Sequence, residues 1–179
     1  IKKVILPKLV SGEVIGTYAI AEESHQPTAA NLQVTATNNL LNGIKIAVPD
    51  SGLATHIIVI ASSSNGTELR LVDLKDQSVT VTPQKNIDTS KSFYKVEFNN
   101  TPSDLLGQSG EGWNYIQHLL DQAAVLFAFE QVGGSQAALD MAKAYSLERF
   151  AFGRQIGSYQ AIKHKLADMY IAITLAKSN

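Results

Sequence analysis

The sequence predicts an α+β chain of more than one domain: an antiparallel β-barrel or sandwich over residues 1–104, then long antiparallel helices over residues 105–179. Three observations carry that reading. Apolar residues recur with a period of two from Val14 to about Phe98. From Glu111 onward they recur at steps of three and four. Clusters of Asn, Asp, Ser and Gly cut the first region at short intervals.

In the first region, Leu32-Gln33-Val34-Thr35, Leu69-Arg70-Leu71, Val79-Thr80-Val81-Thr82 and Tyr94-Lys95-Val96-Glu97-Phe98 alternate as half-buried strands do. Ile57-Ile58-Val59-Ile60 is apolar and β-branched throughout, which suits a central strand buried on both faces. Turn chemistry separates them at Asn38-Asn39, Asn42-Gly43, Asp50-Ser51-Gly52, Ser62 to Gly66 and Asp76-Gln77-Ser78. About seven strands so spaced favour an antiparallel barrel or sandwich over a parallel sheet. Thr101-Pro102-Ser103-Asp104 reads as the boundary to the helices.

In the second region, Ile116, Leu120, Ala123 and Phe127 form one helical stripe. Tyr159, Ile162, Leu166, Met169 and Ile173 form another, with Lys163, Lys165, Asp168 and Lys177 elsewhere on the wheel. Gly133-Gly134 costs the first helix about 1 kcal/mol per glycine against alanine, so a close helix crossing is expected there. Between the helices, Gly153 follows a helix-compatible run, and Ser158 is placed to cap the next helix by accepting a backbone N–H. The linker is therefore expected to be a corner. Arg149 and Arg154 flank it with Phe152 between them, a set that can hold an anion and cover a ring.

Composition removes several functions. Fifteen basic against 16 acidic residues give a net charge of −1, which argues against nucleic acid or an anionic membrane as the main partner. There is no cysteine, hence no disulfide, thiolate metal site or cysteine nucleophile. His25, His56, His118 and His164 lack the spacing of a metal site. Gly107-Gln108-Ser109-Gly110-Glu111-Gly112 lacks the Lys and Ser/Thr of a P-loop and reads as a loop before a helix. Asn65-Gly66-Thr67 and Asn99-Asn100-Thr101 read as loop residues rather than glycosylation sites. The longest apolar run, Ala123 to Phe129, is far short of the roughly 20 residues of a membrane helix, and no leader is visible, so a cytoplasmic protein without membrane insertion is expected.

Tyr145, Glu148-Arg149, Phe152-Gly153-Arg154-Gln155-Ile156, Tyr159-Gln160-Ala161-Ile162 and Leu166-Ala167-Asp168-Met169 together resemble the helical hairpin of the acyl-CoA dehydrogenase family, with its "ER-x-x-FG-x-x-(I/L)-x-x-(F/H)Q-x-(I/V)" run. Tyr159 departs from that pattern, which has Phe or His. Leu6-Pro7-Lys8-Leu9-Val10-Ser11-Gly12-Glu13 and Gly16 to Glu22 resemble the family's approach to its β middle domain. The resemblance implies a β middle domain followed by the first half of a four-helix bundle, the remainder of the family's length lying outside these residues. It implies FAD-dependent α,β-dehydrogenation of an acyl-CoA thioester, electron transfer to an electron-transfer flavoprotein, and a homo- or hetero-oligomer. It places no catalytic residue and no metal in this chain, the catalytic Glu of most members falling in the part not covered. Arg149, Phe152 and Gln160 take positions that reach the FAD of a neighbouring subunit. Ile20 and Glu22 take cofactor-binding positions in the middle domain, and Asp121 a substrate-binding one.

The resemblance also has gaps. The family's "(T/S)-E-P-x-x-G-S-D" flavin loop reads Ala21-Glu22-Glu23-Ser24-His25-Gln26-Pro27-Thr28, and its "W-(I/V)-(T/S)-N" strand reads Ala47-Val48-Pro49-Asp50. Hydroxyls and Trp are lost, and Pro27 and Pro49 lack backbone donors. Ala124 stands where an Arg often follows the Asp. Three readings follow: a divergent FAD enzyme in which Ser24 or Ser51 replaces a lost hydroxyl, a degenerate subunit that completes a partner's FAD site, and a flavin-free oligomerisation module.

Overall fold

The computed structural model describes residues 1–23 and 27–178. The chain divides into two compact units, Ile1–His118 and Leu119–Asn179.

The first unit opens with a helix absent from the sequence reading, α1 (Lys2–Ser11), which ends at Gly12 in the left-handed conformation that glycine adopts without strain. An eight-stranded sheet follows. Its strands are β1 (Gly16–Ala19), β2 (Thr35–Thr37), β3 (Leu40–Pro49), β4 (His56–Ser63), β5 (Gly66–Asp73), β6 (Val79–Gln84), β7 (Phe93–Pro102) and β8 (Asp104–Gly110). Their order is β6-β7-β3-β2-β4-β5-β8, with β1 also on β4. The expected antiparallel pairing holds except along β4, where β1 and Thr35 of β2 pair in parallel. No pairing of β6 with β8 closes the sheet into a barrel among the described residues.

β4 is central, as its unbroken apolar run requires. Ile57, Val59 and Ala61 join Val34, Leu41, Val48, Val72, Val96 and Phe98 in the larger core. Ile60 faces the other way, into a smaller cluster with Leu32, Ile116, Ile20, Leu69 and Trp113. Both faces of the strand are thus covered, so it has no need of alternation.

Several local expectations are corrected. Asn42-Gly43 makes no turn. It lies within β3, where the register against β7 shifts between Leu41 and Asn42. A Cβ on Gly43 would stand 3.0 Å from the Val34 Cα, so the glycine serves a bulge and a close approach. The strand expected at Leu32–Thr35 starts only at Thr35, and the Val34 carbonyl accepts the Ser62 N–H at 2.8 Å instead. The sheet also continues past residue 104, because β8 pairs with β5 from Leu71↔Asp104 to Leu69↔Leu106.

α2 (Gly112–Glu148) begins on β5: the Thr67 hydroxyl accepts the Trp113 N–H at 2.8 Å, and a Cβ on Gly112 would fall 2.7 Å from Glu68 backbone. The two glycosylation-like triplets are not loops as expected: Gly66-Thr67 opens β5 and Asn99-Asn100-Thr101 lies within β7, with Thr67 and Thr101 buried. No neighbour lies within 4 Å of a Cβ on Gly133 or Gly134, so the crossing expected there is not formed among the described residues. In the second unit α2 leads through β9 (Phe150–Ala151), β10 (Arg154–Gln155) and a 3-10 turn (Ile156–Ser158) to α3 (Gln160–Ser178). Leu139, Met169 and Ile173 line the groove between the two helices, as the α3 stripe predicts for Met169 and Ile173, whereas Leu120 and Phe127 of the expected α2 stripe are exposed.

Candidate functional site

The link between the long helices is a β-hairpin rather than a corner. Arg154 pairs with Ala151 and Gln155 with Phe150 in an antiparallel ladder. Phe152 at φ 53° and Gly153 at φ 79° form the two-residue loop, both in the left-handed region that a type I′ turn requires. Gly153 is therefore a turn residue and not a helix terminator. Ser158 does not cap α3 either, since its hydroxyl donates to the Gln155 carbonyl at 2.6 Å. The backbone carbonyl of Tyr159 accepts the N–H groups of Ile162 and Lys163 at the start of that helix.

Phe152 is 98% exposed. A phenylalanine in the left-handed region costs about 1–2 kcal/mol, and one held there in water recovers nothing by burial. The base of the hairpin is firm: Arg149 N–H donates to the Tyr145 carbonyl at 2.9 Å, and the Arg149 carbonyl accepts the Ile156 N–H at 2.8 Å. The Arg149 side chain projects from this fixed backbone at the surface, and Gln160 is exposed at the first position of α3. Arg149, Phe152 and Gln160 thus share one end of the helical unit. Asp121 does not join them, because 28 residues of α2 separate it from Arg149, about 42 Å of helix.

The predicted positions in the sheet unit are occupied differently. Ile20 is half-buried against Leu32, Ile60 and Ile116, and its carbonyl accepts the Lys45 ammonium at 3.1 Å. Glu22 is buried. Its carboxylate meets Lys45 Nζ at 2.7 Å, Gln33 N–H at 2.7 Å and Val34 N–H at 3.1 Å. Burial pushes the Glu22 carboxyl up, but hydrogen bonds from Lys45 and Gln33, the Lys45 charge and the Val34 amide outweigh it and hold the group below its ordinary value. Burial pushes the Lys45 ammonium down by more than Glu22 raises it. Lys45 is a functional residue that motif matching does not single out; its signal is a lysine at an inward strand position, which demands a buried carboxylate.

The strand that aligns with the family's Trp-bearing flavin strand offers little to a ring. Ala47 stands at φ 49° in a break of register between Lys45 and Val48, and its N–H is taken by Gln84 Oε1 at 2.8 Å. Val48 is fully buried in the core, and Pro49 has no N–H and spends its carbonyl on the Thr17 hydroxyl. Ser51 is 3% exposed, and its buried hydroxyl has no hydrogen-bond partner among the described residues. Ser24 lies outside the described residues. Ala47 and Pro49, which stand where the family has its Trp and hydroxyl and offer neither an aromatic ring nor a free donor, therefore do not fit an isoalloxazine on this chain's own sheet.

The family model described as "Acyl-CoA dehydrogenase, C-terminal domain" matches residues 110–179. The probable acyl-CoA dehydrogenase YngJ of Bacillus subtilis is 30% identical over 98% of the chain and half of its own length. The chain belongs to the acyl-CoA dehydrogenase family. Butyryl-CoA dehydrogenase from Megasphaera elsdenii superposes on 99% of the acyl-CoA dehydrogenase-family chain with TM-score 0.90 and 26% identity, using 50% of its own length. The Tcur3481-Tcur3483 steroid ACAD superposes on 97% of it with TM-score 0.80 and 28% identity, using 47% of its own length. This family member spans about half the length of the curated relatives it matches. No described helix in it is long and apolar enough to cross a membrane.

Proposed function

We propose that this chain is a subunit of an FAD-dependent acyl-CoA dehydrogenase assembly whose role is to complete the flavin site of a neighbouring, non-identical subunit. One observation carries the reading: the hairpin holds Phe152 strained and 98% exposed at the same end of the helical unit as Arg149 and Gln160, while Glu22 and the Ala47 N–H of the sheet unit are engaged internally. When bound, FAD supplies the acceptor for the hydride that leaves an acyl-CoA thioester on α,β-dehydrogenation. On this chain, the Arg149 guanidinium presents a planar fork to a pyrophosphate, Phe152 covers a ring, and the Gln160 amide offers both a donor and an acceptor. Two gene products are named together in the steroid ACAD structure, which supports a heteromeric assembly and makes a steroid-derived acyl-CoA a substrate to try beside straight-chain ones. An electron-transfer flavoprotein is the electron acceptor in this reading.

The test is flavin retention in the co-purified assembly. Arg149→Ala is expected to weaken flavin binding by about 10- to 100-fold, the value of a charge-assisted hydrogen-bonded contact. Unchanged flavin affinity in Arg149→Ala and Phe152→Ala would overturn the reading.

A further inference from the structure

Tyr159 is the position at which the helical-hairpin motif departs from the family pattern, and its hydroxyl does work that phenylalanine cannot do. Its hydroxyl donates to the Ala151 carbonyl at 2.9 Å. Its ring carries the Arg154 guanidinium 3.9 Å from the centroid. Ala151 and Arg154 are the residues on either side of the Phe152-Gly153 loop and pair with each other in the ladder. The tyrosine therefore holds both legs of the hairpin, one by a hydrogen bond and one by a cation–π contact. Its own backbone is anchored in turn. Gly157, two residues before it, approaches α2 so closely that a Cβ would stand 2.9 Å from the Ser146 carbonyl, and the Tyr159 carbonyl accepts the first N–H groups of α3.

A two-residue loop with phenylalanine in the left-handed region is poorly specified by its own sequence, since Asn-Gly and its relatives are the residues that favour it. Something outside the loop must hold it. We infer that Tyr159 is a positioning residue, fixing the hairpin before any partner arrives so that Phe152 and Arg149 meet the neighbour's flavin without an ordering cost. This rests on the hairpin's proposed role. Pre-organisation of this kind raises affinity by removing the entropy lost on docking, not by adding a contact.

Tyr159→Phe removes only the hydroxyl, and Tyr159→Leu removes the ring as well. In the full-length protein alone, amide exchange across residues 150–156 is expected to accelerate in Tyr159→Phe and further in Tyr159→Leu, while exchange in α3 and the thermal midpoint stay close to wild type. In the co-purified assembly, flavin is expected to bind roughly 2- to 10-fold more weakly in Tyr159→Phe, the range for one hydrogen bond. If hairpin exchange and flavin affinity both match wild type in Tyr159→Phe, the inference is wrong. If hairpin exchange accelerates but neither Tyr159→Phe nor Arg149→Ala changes flavin affinity, the failure lies instead with the proposed role of the hairpin.

Discussion

Lys45→Met offers a sharp test of the sheet unit's energetics. The lysine is fully buried, and its ammonium has two acceptors, Glu22 Oε1 at 2.7 Å and the Ile20 carbonyl at 3.1 Å. Methionine keeps most of the stem and removes the charge. The Glu22 carboxylate then retains the Gln33 and Val34 amides but loses its counter-ion, and the Ile20 carbonyl loses that donor. Leaving one partner of a buried pair uncompensated costs about 3–5 kcal/mol. With a urea slope of about 2 kcal/mol per molar, the unfolding midpoint at pH 7 should fall by roughly 2 M. Trp113 is the only tryptophan and packs on the Leu32, Ile60 and Ile116 cluster, so its fluorescence reports this unit. The penalty should shrink near pH 4, because a buried carboxyl without its cation is pushed up and becomes neutral there. Adding Glu22→Gln should restore part of the loss, since the amide oxygen still accepts while the unpaired charge is gone. A penalty below about 1 kcal/mol, or one equal at pH 4 and pH 7, would show that Lys45 contributes packing alone.

Further consequences follow from the same geometry. Because folding holds the Glu22 carboxyl below its ordinary value, its contribution to wild-type stability should be complete above about pH 4–5 and lost as pH falls through the lower folded-state value, which acid-dependent urea titration can read. Phe152→Asn should stabilise the helical unit by about 1 kcal/mol, because asparagine tolerates the left-handed turn, and yet weaken flavin retention in the assembly. A gain in both would contradict the hairpin's role. Gly157→Ala should cost about 1–3 kcal/mol in thermal unfolding, since the new methyl would stand 2.9 Å from the Ser146 carbonyl.

What the sequence made legible was periodic. The continuous apolar run at Ile57–Ile60 marked the centre of the sheet, and the three-four stripes of Leu166, Met169 and Ile173 marked the helical hairpin. Features set by tertiary pairing were hidden. Asn42-Gly43 carries the chemistry of a turn but is stretched into a bulged strand, because β3 has partners on both sides. α1 was hidden for a local reason: Pro7 stands in its interior, where proline removes a helical hydrogen bond. The I′ loop was concealed because phenylalanine is an unusual residue for it, and the Tyr159 hydroxyl and ring that brace its two legs come from outside the loop. The candidate site was legible in the same divided way. Arg149, Phe152 and Gln160 stood out by motif, whereas the engagement of Glu22 with Lys45 and of Ala47 with Gln84 depends on partners 23 and 37 residues away.

The central claim is that the chain serves another subunit's flavin and holds none on its own sheet. The most direct measurement is the visible absorption spectrum of the full-length protein, purified alone and then with the subunit that co-purifies with it, with flavin quantified per chain. The account predicts no flavin band from the protein alone and about one flavin for each pair of unlike subunits in the assembly. A flavin band from the protein alone, approaching one flavin per chain, would contradict it.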